Sequence, residues 1–430
     1  MPPTDPSLAP GSDQHRRRVA SGVLIALFFA IGFLTCLNDV VLPHLKSVFE
    51  LDYTRAALVQ FSFFAAYFAV SAPAGLLIRR LGYKRAIVVG LGAAAAGCLG
   101  FYPAAAWRSY GLFLGALFVL ASGFTLLQVA ANPYVAVLGS RETASSRLTL
   151  TQAFNSVGTT VAPLVGAWLI LPSIAATPSA SSVQVPYLAF AGILVAFAVT
   201  LALLRLPDAR PTTDGATKAV GGAWSHGPLV FGAVGIFLYV GAEVSIGSFL
   251  VSFLRDPAIG GIDAHGAARS MSLYWGGAMI GRFVGAAALR TWKPRHVLAV
   301  FAAFAFALVL TTVASSGHVA MVAILAVGLF NSIMFPTIFT LAIDGLGERT
   351  EQGSGILCMA IVGGAILPVL QGAVADRIGL HLAFVVPMAS YGYIAWYGLH
   401  GSMRRERTTA PSADRRAPRP AVAARKGWLG

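Results

Sequence analysis

Long apolar runs separated by short polar breaks dominate the chain. An α-helix rises 1.5 Å per residue, so about 20 mostly apolar residues cross the hydrocarbon of a bilayer. Runs of that length lie at 19–45, 57–78, 86–106, 110–138, 148–172, 186–205, 228–254, 269–290, 296–314, 318–345, 353–374 and 380–402. The pattern predicts an all-α integral membrane protein with twelve transmembrane helices. Its weakest break is Trp107-Arg108-Ser109, between the third and fourth runs.

A longer polar stretch separates the first six runs from the last six. We therefore expect five segments, which are an N-terminal tail (1–18), a six-helix bundle (19–205), a linker (206–227), a second six-helix bundle (228–402) and a disordered basic tail (403–430). The first run is too long for the apolar region of a cleaved signal peptide, so it is expected to be retained as a span.

Composition agrees with a membrane protein. Of the 430 residues, 57% are hydrophobic and 11% are charged, whereas a soluble domain carries about 25% charged residues. Too few charges are present to cover a water-facing surface, and the hydrophobic content excludes disorder except at the ends. The three cysteines lie inside apolar runs and form neither a disulfide framework nor a metal-ligand motif.

The basic residues predict the orientation. Of the 31 Lys and Arg, 24 fall in the tails and in alternate loops on one side, six fall on the other side, and Arg282 lies within a run. Positive loops stay in the cytoplasm, so both termini are expected there. The formal charge of +14 thus has an explanation that involves no nucleic acid. Alanine and arginine richness without a long soluble loop favours a bacterial inner membrane.

The two halves repeat each other at a nearly constant offset. Three pairs match at offsets of 203 to 205 residues, namely Val157–Pro163 with Val362–Pro368, Ala131–Val135 with Met334–Ile338, and Asp39 with Glu243. Each copy contains six spans, so both copies enter the membrane in the same direction. Such parallel repeats are related by a pseudo-two-fold axis along the membrane normal, and they predict a secondary transporter that works by alternating access.

Two carboxyl groups fall inside apolar runs, Asp39 and Glu243. A charge at a helix centre costs at least ~2.5–3.5 kcal/mol, which makes such a residue a candidate for function. Reversible protonation of both would couple transport to a proton gradient. Asp39 lies in the outer third of its run and also fits a solvated helix end. Glu243 also fits a permanently ionised group that binds a polar ligand, or a carboxylate paired with its neighbours.

Amides accompany these carboxyl groups within the apolar runs. The candidates for substrate binding are Asn38, Gln128, Gln152, Asn155 and Asn331, and Tyr67, Tyr239, Tyr274 and Trp275 offer ring faces beside them. Many uncharged donors and acceptors with aromatic faces suit a neutral polyol, whereas an anionic substrate would require buried cations. For each single amide, hydrogen bonding between helices is an equal alternative.

No supported catalytic constellation or metal site is present in the sequence. The histidines are scattered near the ends of the runs, and the chain contains neither a phosphate-binding glycine loop nor a nucleophile elbow. We expect a protein that is not an enzyme and that takes its energy from the proton gradient without a cofactor.

The loop after the second run carries four cations around a glycine turn. Its residues are Gly75, Arg79, Arg80, Gly82, Lys84 and Arg85. This loop resembles the signature of the major facilitator superfamily, with Arg79 where the usual pattern has Asp. More closely, residues 28–391 resemble the fucose–galactose–glucose:proton symporter family. The matching stretches are L-N-D-V-V-L-P (37–43), A-A-N-P-Y-V (130–135), Q-A-F-N-S-V-G (152–158), F-P-T-I-F (335–339) and I-V-G-G-A-I-L-P (361–368).

The resemblance implies roles for individual residues. Asp39 matches the family's first-span aspartate, which is implicated in proton coupling and sugar binding, and Gln152 and Asn155 match its fifth-span sugar-contacting amides. The fucose-carrying branch has a glutamate where this chain has Gln128 and a glutamine where it has Glu243. These differences resemble the glucose/galactose branch.

The sequence therefore predicts a monomeric, proton-coupled importer of a neutral hexose, glucose or galactose rather than fucose. The alternatives are a symporter for fucose or another sugar, an exporter of drugs or metabolites with a more apolar cavity, and a sugar sensor that does not transport.

Overall fold

A computed structural model describes residues 18–36, 53–165, 184–204 and 223–403. Within these residues the chain forms twelve long helices, several of them interrupted by turns or 3₁₀ segments. They are α1 (Arg18–Cys36), α2 (Tyr53–Leu81), α3 (Tyr83–Ala106), α4 (Tyr110–Val137), α5 (Ala144–Val165), α6 (Gln184–Leu203), α7 (Gly227–Arg255), α8 (Ala264–Thr291), α9 (Pro294–Ala314), α10 (Gly317–Ile343), α11 (Gly347–Ile378) and α12 (Leu380–Gly401).

These bounds follow the predicted runs to within six residues. The ends of the first and fifth runs, 37–45 and 166–172, lie outside the described residues. The weak break between α3 and α4 is a tight turn in which Arg108 takes a left-handed φ of 48°. The Ser109 side chain then caps α4 by accepting a hydrogen bond from the Leu112 N–H at 3.4 Å.

Helices α5 and α8 are the most polar of the twelve. The other ten are apolar enough to cross a membrane on composition alone. The two polar helices pack against each other, with the rings of Phe154 and Phe283 5.8 Å apart and the Ser146 hydroxyl donating to the Ala286 carbonyl at 2.6 Å. Their polar side chains thus reach the junction between the two halves of the chain.

Two prolines at equivalent positions of the repeat, Pro133 in α4 and Pro336 in α10, open the backbone of their helices. Proline has no N–H, so the carbonyl four residues earlier loses its helical donor. The Val129 carbonyl instead accepts a hydrogen bond from the Ser354 hydroxyl at 2.7 Å. The Ser332 carbonyl accepts one from Arg282 Nε at 3.2 Å.

The halves are joined at the end of the molecule that carries the α2–α3, α4–α5 and α10–α11 connections, which we call the basic end. Gly75 of α2 and Gly355 of α11 allow close packing there. A Cβ at Gly75 would lie 2.7 Å from the Glu351 carbonyl oxygen, and one at Gly355 would lie 2.7 Å from that of Ser71. Helices α2 and α11 therefore make contact through their backbones.

Polar contacts add to this closure. The Ser145 and Thr340 hydroxyls hydrogen-bond at 2.6 Å, and Arg141 forms an ion pair with Asp344. The hydrogen bond to Asp344 raises the pKa of Arg141 above its ordinary value, because it stabilises the charged guanidinium. Each of these contacts joins one half of the chain to the other.

Candidate functional site

A cavity of about 170 Å³ lies between the two halves. Its polar lining comes from Tyr67, Gln128, Gln152, Tyr239, Glu243 and Arg282, and its apolar lining from Phe63, Val240, Phe335, Pro336 and Ile361. Gln152 lies two turns beyond Ser145 on α5, and Pro336 lies one turn before Thr340 on α10, so the contacts at the basic end close the cavity on that side.

On the wall formed by the first half, a chain of amides fixes the orientation of two cavity side chains. Gln152 Nε2 donates to Asn132 Oδ1 at 3.4 Å, and Asn132 Nδ2 donates to Gln128 Oε1 at 3.0 Å. Gln128 and Asn132 lie four residues apart and share a face of α4. The predicted substrate residues Gln128 and Gln152 are therefore held at the cavity by a buried partner, Asn132.

On the opposite wall, Glu243 is the acidic group among the described lining residues. Its Oε1 accepts a hydrogen bond from the Tyr239 hydroxyl at 2.8 Å, one turn earlier on α7. Arg282 Nη2 lies 4.0 Å from the same oxygen, and both side chains are about 15% exposed. This cavity wall thus combines a carboxyl, a phenol and a guanidinium, in contrast to the neutral amides that face it.

Two predicted substrate residues make hydrogen bonds within their own half of the chain. Asn155 Nδ2 donates to the Phe28 carbonyl of α1 at 2.9 Å. Asn331 is fully buried and donates to the Tyr274 hydroxyl at 2.7 Å. Neither amide is among the residues that line the cavity.

The remaining predicted site residues are four aromatic side chains and two residues of the first span. Tyr67 and Tyr239 line the cavity, Tyr274 is buried behind it, and Trp275 is 41% exposed. Asn38 and Asp39 lie outside the described residues.

The signature loop lies at the basic end. Gly82 takes a left-handed φ of 78° between α2 and α3, a conformation that favours glycine. Lys84 Nζ donates to the Ala202 carbonyl near the end of α6 at 2.8 Å. Arg79, Arg80 and Arg85 are exposed. Gly75 lies at the α2–α11 contact, and none of the six loop residues is among those that line the cavity.

Arg282 is a cavity-lining residue that sequence reasoning missed. It lies within an apolar run, and no role is predicted for it from the sequence. The signal that singled out Glu243, a charge inside an apolar run, applies equally to Arg282. Read together, the two opposite charges indicate a pair.

A multi-pass membrane protein with two six-helix halves around a polar cavity has the architecture of a carrier. The chain belongs to the Major Facilitator Superfamily, whose family model matches residues 23–361. This membership confirms the predicted twelve-helix fold, the predicted family and the assignment to transporters rather than enzymes.

Two relatives and one solved structure place the chain within that family. It is 56% identical to a glucose/galactose transporter of Brucella abortus (strain 2308) over 94% of this chain and 98% of the relative. It is 33% identical to the L-fucose-proton symporter of Escherichia coli (strain K12), over 86% of this chain and 90% of the relative. The crystal structure of the transporter FucP in the outward conformation superposes with a TM-score of 0.83, at 32% identity, and covers 90% of this chain and 100% of FucP.

Proposed function

We propose that the protein is a symporter that imports a neutral hexose, glucose or galactose, together with a proton. The observation that carries this proposal is the cavity itself, in which neutral amides on one wall face a carboxyl group on the other. Amides and phenols offer the donors and acceptors that sugar hydroxyls require, and a carboxyl group inside the membrane can carry a proton. The relative with 56% identity is named a glucose/galactose transporter.

The residues take separate roles in this proposal. Glu243 and Asp39 exchange the proton, and Gln128 and Gln152 bind sugar hydroxyls with Asn38. Asn155 and Asn331 contribute by holding α5 and Tyr274 in place beside the sugar. The ring faces of Phe63 and Phe335 cover the apolar faces of the pyranose.

We further propose how the protein sits and moves in the membrane. The basic end and both termini face the cytoplasm of a bacterial inner membrane, because the loops there carry the excess of Lys and Arg. The bundles 19–205 and 228–402 rock as units about the cavity, and one chain is sufficient for transport. The proton gradient supplies the energy, without a cofactor.

The size and polarity of the cavity weigh against an exporter of amphipathic compounds. Pockets for drug-sized ligands occupy about 300–1,000 Å³ and are lined mostly by apolar groups. This cavity is about 170 Å³, and a carboxyl group, a guanidinium and two amides are among its lining groups. A small hydroxylated substrate therefore fits better than a large apolar one.

The test is uptake of labelled glucose, galactose and fucose into liposomes that hold the purified protein, with and without an inward proton gradient. We expect the gradient to drive accumulation of glucose or galactose. Glu243→Gln should abolish accumulation while sugar exchange continues, because the amide keeps the size of the side chain but cannot carry a proton. Glu142→Gln is the matched control, since Glu142 is an exposed carboxyl at the basic end.

Other outcomes would indicate a different function. Sugar exchange without accumulation in the unmodified protein would indicate a uniporter. Binding without exchange would indicate a sensor. Absence of any interaction with the three sugars would refute hexose transport. Accumulation of fucose alone would indicate a fucose symporter.

A further inference from the structure

Arg282 of α8 connects three helices from both halves of the chain. Its Nε donates to the Ser332 carbonyl of α10 at 3.2 Å. Its Nη1 donates to the Gln152 carbonyl of α5 at 3.4 Å and also to the Ser156 hydroxyl. We call this arrangement the Arg282 bridge, because α5 belongs to the first half and α8 and α10 belong to the second.

The bridge depends on the backbone opening at Pro336. The Ser332 carbonyl accepts from Arg282 because Pro336 supplies no N–H to it. A guanidinium inside a membrane requires acceptors for its N–H groups and a compensating negative charge. The carbonyls and the Ser156 hydroxyl supply acceptors, and Glu243, 4.0 Å from Nη2, supplies the charge when it is ionised.

Arg282 therefore has two competing sets of partners. The acceptors on α5 draw it across the junction between the halves, and the ionised carboxylate of Glu243 draws it towards α7. The distances place it between the two, bonded to α5 and beyond hydrogen-bonding distance of Glu243. A change in the charge of Glu243 must change the strength with which Arg282 holds the halves together.

We propose that Arg282 is the positioning residue that prevents proton leak, by holding the two halves closed at the basic end when Glu243 is protonated and no sugar is bound. The proposal rests on the proposed function, because it assigns the coupled proton to Glu243. In addition, Arg282 makes the movement of that proton depend on bound sugar.

Each state of the cycle follows from the same competition. When Glu243 is protonated and no sugar is bound, Arg282 hydrogen-bonds only to its acceptors on α5 and α10. The bridge then keeps the halves from rocking. A bound sugar brings hydroxyl acceptors to Arg282, which itself lines the cavity, and these replace the α5 acceptors. When Glu243 is ionised, its carboxylate replaces the α5 acceptors, and the halves can rock without bound sugar.

The groups that face Glu243 do not offer another cation in the described part of the chain. Tyr239 lies on its own helix, Arg282 and Tyr274 on α8, Tyr391 on α12, and Tyr67 on α2. The lining residue from α11, Ile361, does not titrate. The competition is therefore between Glu243 and the α5 acceptors for one guanidinium.

The experiment measures proton entry and sugar uptake separately, in liposomes loaded with a pH-sensitive dye. Arg282→Gln removes the charge, and Ser156→Ala removes one acceptor on α5 while leaving all cavity-lining residues intact. Arg269→Gln is the matched control, since it removes an exposed arginine from the outer part of the same helix. Sugar exchange without a gradient reports whether each variant is folded and binds sugar.

We expect both bridge variants to admit protons without sugar at least about tenfold faster than the unmodified protein, the change that loss of a charged hydrogen bond produces. Sugar exchange should persist in Ser156→Ala, and accumulation should fall because the gradient dissipates. Arg282→Lys should restore part of the coupling. Arg269→Gln should match the unmodified protein.

The outcomes distinguish this inference from the proposed function. If the unmodified protein shows no proton-coupled sugar uptake, symport itself is wrong. If it couples normally and Ser156→Ala and Arg282→Gln keep sugar-free proton entry at the unmodified rate, the role of the bridge is refuted. If Arg282→Gln does not fold, Ser156→Ala alone decides the question.

Discussion

Gly355→Ala tests directly how tightly the two halves close at the basic end. The added Cβ would lie 2.7 Å from the Ser71 carbonyl oxygen and 3.4 Å from its carbonyl carbon. Both are backbone atoms on α2, so no side chain can turn aside to make room. For ordinary van der Waals contact, α2 and α11 must separate by several tenths of an ångström.

The expected magnitude follows from the cost of overpacking. Extra methyl groups in a packed interface cost about 1–3 kcal/mol. Here the cost applies only to the state in which α2 and α11 touch, because opening of the basic end separates them. The ratio of closed to open molecules should therefore fall by about 5- to 150-fold, at 1.4 kcal/mol per factor of ten.

The assay is the distance between spin labels on the two halves at the basic end. Arg85→Cys at the start of α3 and Arg290→Cys at the end of α8 supply exposed positions, with the three native cysteines replaced. We expect one distance in the unmodified protein and an added longer one in Gly355→Ala.

Gly92→Ala is the control for this measurement, because a Cβ at Gly92 meets nothing within 4 Å. An unchanged distance distribution in Gly355→Ala would refute the reasoning, since it would mean that α2 and α11 absorb the methyl group without opening.

Three further substitutions test the placement of individual side chains. Gln128→Ala should raise the KM for sugar by about 10-fold or more, because a lining amide is lost, and should lower stability by about 1–3 kcal/mol, because it strands the buried Asn132 amide. Asn331→Ala should lower stability by about 1–3 kcal/mol in a melting experiment and leave KM nearly unchanged, because it strands the buried Tyr274 hydroxyl; an equal effect of both variants on KM would contradict this division. Asp344→Ala should weaken closure by at most about 1 kcal/mol, an effect that vanishes in high salt, because the pair with Arg141 is exposed; an effect of several kcal/mol would contradict a surface pair.

The fold could be predicted from the sequence because its signals are long and repeated. Twelve apolar runs give the helices, and the matching prolines at 133 and 336 give the duplication. Even α5 and α8, the most polar of the twelve, contain apolar runs long enough to be predicted as spans, at 148–172 and 269–290.

The site was harder to predict, because hydropathy does not tell which side of a helix meets which neighbour. Gln128 and Asn331 occupy equivalent positions of the repeat, and the sequence gives both as substrate residues. The structure places Gln128 at the cavity and Asn331 behind it against Tyr274. Arg282 was missed because two of its acceptors are backbone carbonyls, those of Gln152 and Ser332, which no side-chain pattern records.

The hydrogen bonds at Val129 and Ser332 have a consequence for mutational tolerance. Each acceptor is a carbonyl that a proline four residues later has exposed, so the identity of the side chain at 129 or 332 is irrelevant to the bond. A saturation screen for sugar uptake should therefore accept substitutions of similar size at these two positions. It should reject most replacements of Pro133 and Pro336, because a restored N–H would reclaim the carbonyl for the helix. The positions that tolerate few substitutions would then be the two prolines, one helical turn after the residues whose carbonyls make the contact.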